Sequence, residues 1–102
     1  MDPLESLRRL DERTYEFVKE AENFALLEGE IPLKYKLLIA MAIDASQGAD
    51  EGVKVLAELA MKNGATKVEV VEALRIAIYI AGAGAAYTAA RGLLSLSDSL
   101  ME

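Results

Sequence analysis

The chain has no cysteine and no histidine. The first absence excludes disulfides, thiolate nucleophiles and thiolate metal sites. The second leaves a zinc ion only carboxylate ligands, which suit harder ions better. It also removes the side chain that moves protons most readily at neutral pH. No metal and no cofactor is expected. No cluster of Lys or Arg is present, and the net charge is −6. An acidic surface repels phosphate backbones, so no nucleic-acid partner is expected. Met1-Asp2-Pro3-Leu4-Glu5 is acidic and carries no apolar signal core, which points to a cytoplasmic protein. The longest uncharged run, Ile76 to Ala90, is too short for a membrane span, so no membrane partner is expected.

What the chain does contain is apolar residues, 53% of its 102 positions. That is high for a small domain whose surface must be polar, and part of the apolar surface is expected to face a partner. The acids are unevenly placed. Residues 1–30 hold nine acids and four bases, the remainder eight and seven.

The periodicity predicts an all-α domain spanning 1–102, a bundle of about five helices. Asp2 can cap the first helix, and Pro3 suits its first turn. Leu4, Leu7, Leu10, Thr14, Phe17, Ala21 and Phe24 recur at three- and four-residue spacing. This predicts one amphipathic N-terminal helix over 1–30, ended by Gly29. Leu33 to Ala45 forms the next helix. Its seven consecutive apolar residues, Leu37 to Ile43, leave no polar face and place it at the centre of the fold. Gln47-Gly48 breaks it. A third helix starts near Ala49-Asp50-Glu51 and stops at Asn63-Gly64. Thr66 caps the fourth, with Glu69 completing a capping box. Gly82 and Gly84 loosen or kink the chain beyond it, and a last helix runs from about Ala85 to Leu96. Residues 97–102 are expected to fray.

Three motifs carry a resemblance. Gly64-Ala65-Thr66-x-x-Glu69-Val70-x-Glu72-Ala73 is one, and Leu33-Lys34-Tyr35-Lys36-Leu37-Leu38-Ile39 is the second. Ile80-Ala81-Gly82-Ala83-Gly84-Ala85-Ala86 is the third. Together they resemble the AhpD-like and carboxymuconolactone decarboxylase family over a core of residues 33–94. The resemblance implies a helical, oligomer-forming fold, from dimer to hexamer. Residue by residue, it also implies that the active site of the thiol branch is missing. The thiol-activating Glu falls at Leu37, the two thiols at Ala49 and Gly52, and the His at Leu56. The decarboxylase branch keeps that His, and Leu56 denies it too. Thiol peroxidase or disulfide reductase activity is therefore not expected.

Two polar residues stand near this region. Asp44 is the only ionisable group between Lys36 and Asp50, and Tyr79 interrupts the apolar stretch of the later helices. A desolvated Asp beside Tyr could form an acid–base pair. The main expectation is a non-catalytic member acting through homo-oligomeric assembly, or through a small apolar or acidic ligand. The subunit contact is expected on the small, uncharged Ile76–Ala90 stretch, Ala85 included. The alternatives are a decarboxylase- or lactone-handling enzyme using Asp44 and Tyr79 in a rebuilt pocket, and a subunit that pairs with a Cys-bearing relative.

Overall fold

The computed structural model describes residues 3–96, and all regular structure among them is helical. The expected cap at Asp2 and the expected fraying of 97–102 lie outside the described residues. Six helices come one after another: α1 (Pro3–Leu10), α2 (Glu12–Ala25), α3 (Leu33–Ser46), α4 (Asp50–Lys62), α5 (Lys67–Ala81) and α6 (Ala83–Gly92). Residues 94–96 are helical again. No helix among the described residues is long and apolar enough to cross a membrane.

The single N-terminal helix expected over 1–30 is two. Asp11 takes an extended conformation, φ −160° and ψ 103°, and separates α1 from α2. Its carboxylate accepts a hydrogen bond from the Thr14 hydroxyl. The second helix ends at Ala25, four residues short of Gly29. The two helices fold onto each other as a hairpin, with the Arg8 guanidinium 5.6 Å from the centre of the Tyr15 ring. Neither contains a buried residue.

The other helix ends obey the local chemistry. Gly48 and Gly64 have positive φ, 78° and 102°, which glycine reaches without a side-chain clash. Each closes its helix in the same way. Ala49 N–H donates to the Asp44 carbonyl at 2.9 Å, and Ala65 N–H to the Ala60 carbonyl at 2.9 Å. Gly82, at φ 87°, separates α5 from α6. The expected kink is thus a full break, at Gly82 rather than Gly84.

Helix α3 packs against α4, α5 and α6 and is the centre of the bundle. It buries Leu37, Leu38, Met41 and Ala45. Met41, Val53 and Val70 are the largest side chains with essentially no exposure. Among the described residues, seven of the thirteen buried hydrophobic ones are alanine. Small side chains let helices approach closely but bury little area each. Two helix backbones come very near each other at Gly92, where a Cβ would lie 2.7 Å from the Asp50 carbonyl oxygen and 2.8 Å from Val53 Cβ. No motif in the sequence marks this contact between α6 and α4.

Many of the larger apolar side chains are outside. Ile39 and Ile43 leave a half-exposed ridge on α3. Together with Leu38, Ala42, Ala73 and Ile76 they line an open groove of about 670 Å³ between α3 and α5. On α5, Ile76, Tyr79 and Ile80 are all more exposed than buried. Ala85, expected on an intersubunit face, is instead buried within the domain, as are Ala77 and Ala89. The Ile76–Ala90 stretch is therefore split between core and surface, as a helix with one packed face requires.

Candidate functional site

The first turn of α4 is built by the preceding stop. The Gly48 turn brings the end of α3 back over the start of α4, so Asp44, in the last turn of α3, faces Gly52. The contact is close. A Cβ on Gly52 would lie 1.9 Å from Asp44 Oδ2 and 2.8 Å from its Cγ. Glycine at 52 leaves the space that the Asp44 carboxylate occupies. This carboxylate takes no hydrogen bond or ion pair among the described residues.

Asp44, Gly52 and Leu56 form one wall of an open cleft of about 960 Å³. The opposite wall comes from the N-terminal hairpin, through Leu4, Lys19 and Glu22. Leu56 is half-buried and packs on the core, and Ala49 is the half-buried N-cap of α4. Leu37 belongs to the core and lies outside the cleft. Tyr79 is 84% exposed on α5 and is no part of the cleft walls. The structure thus brings Asp44, Gly52 and Leu56 together and does not bring Tyr79 to Asp44. Asp50, which opens α4, is engaged elsewhere: its carboxylate pairs with Arg91 Nε of α6 at 3.5 Å.

The most organised polar cluster is elsewhere, at the start of α5. Glu69 N–H donates to Thr66 Oγ1 at 3.1 Å, and Thr66 N–H donates to Glu69 Oε1 at 2.9 Å. This is the capping box expected from the sequence. The same carboxylate meets Lys34 Nζ at 3.3 Å and accepts a hydrogen bond from the Tyr35 hydroxyl at 3.4 Å. The Thr66 amide is the main cause that holds the Glu69 carboxyl below its usual range, and Lys34 and Tyr35 add to it. Lys34 is correspondingly raised, chiefly by its hydrogen bond to Glu69. One acid therefore ties the start of α5 to the start of α3. The tie between helices was not legible in the sequence, although the box itself was.

These features define a small all-helical domain in which the Asp44 carboxylate fills the space beside Gly52 at the start of α4. The model of the Carboxymuconolactone decarboxylase family matches residues 12–95, and the chain belongs to that family. The match begins at the first residue of α2, so it includes the second helix of the hairpin and exceeds the 33–94 core expected from the motifs. No curated protein and no solved structure matches the chain.

Proposed function

We propose that this chain is a non-thiol member of the carboxymuconolactone decarboxylase family that works as a homo-oligomeric subunit. The observation that carries the reading is the inversion of side-chain size between core and surface. Alanine fills much of the interior, while isoleucine, tyrosine and phenylalanine stand outside. Large exposed apolar patches mark contact surfaces.

The chemistry supports the same reading. Attack on peroxide by the thiol route needs a thiolate and a second thiol to release the product. Ala49 and Gly52 supply neither, Leu56 cannot relay a proton, and the Asp44 carboxylate fills the space of a residue-52 side chain. Light scattering at micromolar concentration tests the assembly. A mass above 11.0 kDa is expected, and a clean monomer defeats the proposal. Steady-state peroxide consumption with a thiol donor, in metal-free protein, would defeat its non-thiol half.

One observation favours a second reading. Asp44, without a partner among the described residues, opens onto the 960 Å³ cleft, which could admit a small molecule. Glu22 and Glu51 beside it make an acidic ligand the poorer fit and a neutral or cationic one the better. Isothermal titration of candidate ligands against wild type and Asp44→Ala separates this reading from simple packing.

A further inference from the structure

We propose that the exposed stripe of α2 is an arm that one subunit lends to another: Phe17 and Phe24 of one copy seat in the α3/α5 groove of a second. The inference rests on the assembly reading above and specifies which surfaces meet.

The chain has two phenylalanines, and both are on α2, 71% and 80% exposed. With Thr14 and Ala21 they make a stripe at spacings of three, four and three, so all lie on one face of the helix. The face toward α1 is a different one, marked by the half-buried Tyr15 and Val18. The stripe is therefore not used in the subunit. Aromatic side chains bury on the order of 150–250 Å² each, so these two rings alone are a large unmet demand.

The groove is the matching vacancy. Its walls are Leu38, Ile39, Ile43 and Ile76, with Ala42 and Ala73 as low points. A ridge of side chains on one helix packs into such a groove between helices. The subunit's own hairpin lines the cleft beside α4 instead, through Leu4, Lys19 and Glu22, so the α3/α5 groove is left for another copy. Charge agrees with this pairing. Arg13 and Glu20 flank Phe17, four residues before and three after, and the groove is lined by Glu69, Glu72 and Arg75, of which Glu69 is already paired with Lys34, leaving Glu72 and Arg75 to face a partner. Stripe against stripe would bring two convex surfaces together and leave both grooves bare. Stripe into groove covers both features with one kind of contact.

The absence of native cysteine makes the test clean. Subunits carrying Ala21→Cys, between the two rings, are co-assembled with subunits carrying Ala42→Cys, on the groove floor, and oxidised. The expected product is a mixed disulfide dimer, with little dimer from either variant alone. Dimer from Ala21→Cys alone would mean stripe on stripe, and dimer from Ala42→Cys alone would mean groove on groove. Either result overturns the proposal. A second measurement guards against unsuitable disulfide geometry. Phe17→Glu and Ile43→Glu, both at exposed positions, should each reduce the light-scattering mass to that of the monomer while leaving the helical circular dichroism in place. Mixing the two should restore a dimer, because one intact stripe and one intact groove remain. Wild-type mass in either variant overturns the stripe-into-groove contact alone. A monomeric wild type overturns the assembly reading beneath it.

Discussion

Replacing Gly52 by alanine puts the Asp44 contact to a quantitative trial. The new methyl would lie 1.9 Å from Asp44 Oδ2 and 2.8 Å from Cγ, so the carboxylate must leave its place. Two effects oppose each other. Alanine in place of glycine inside a helix favours the fold by about 0.8–1 kcal/mol. Overpacking of this kind costs roughly 1–3 kcal/mol when neighbours must shift. A net loss of up to about 2 kcal/mol is expected in the wild-type background. With Asp44→Ala in place, only its Cβ remains, 3.4 Å from the new methyl. That is ordinary van der Waals contact, so the helix gain is unopposed and Gly52→Ala should stabilise. The sign of one substitution thus reverses with its background. Urea denaturation of the wild type, the two single variants and the double variant reads this directly. Equal effects of Gly52→Ala in both backgrounds, within about 0.5 kcal/mol, would refute the contact. The same reasoning bears on any attempt to restore the thiol pattern with Leu37→Glu, Ala49→Cys, Gly52→Cys and Leu56→His. A cysteine at 52 meets the same carboxylate, so Asp44→Ala must accompany it.

Gly92→Ala should destabilise by about 1–3 kcal/mol, because its methyl meets the Asp50 carbonyl and the buried Val53, neither of which can swing aside; no loss in urea denaturation would mean that α6 sits further from α4. Thr66→Ala should cost about 1 kcal/mol by removing the cap of α5, and a loss of ligand binding without loss of stability would turn the box from scaffold into site. The pH dependence has a definite sign. The Glu69 carboxyl is lowered from 4.5, so its contribution is present above that value and is lost as pH falls below it. Lys34 is raised from 10.5, so its share is present below that value and is lost as pH rises through its folded value. The urea midpoint difference between wild type and Glu69→Gln should therefore shrink as pH drops below 4.5, and a difference constant across the acid range would contradict this.

Local chemistry made the helix stops legible. Gly48, Gly64 and the Thr66–Glu69 pair act within a few residues, so the sequence states them almost completely. The break at Asp11 was hidden because the apolar spacing runs through it without a glycine or proline. Asp11 before Glu12, an N-cap type with an acid in the first turn, was the signal that could have found it. The Asp44–Gly52 contact, the Gly92 contact and the Lys34–Glu69 tie join residues on different helices. Their cause is the packing angle of the bundle, which no single segment encodes. The apolar run of α3 likewise identified the central helix but not its bare side. Ile39 and Ile43 read as core by composition and lie half-exposed on the groove.

The N-terminal hairpin has a further consequence. Its helices have eight and fourteen residues and contain no buried side chain, and helices shorter than about 12–15 residues are marginal in water. The hairpin therefore has little to hold it against local unfolding, while the α3–α6 bundle has its own core. Arg8, Arg9, Arg13 and Lys19 all lie within it, so a trypsin-like protease meets targets on a segment without a core of its own. On the proposed assembly, whatever covers α2 also guards those bonds, and the lifetime of the intact chain becomes a function of how much of it is in company.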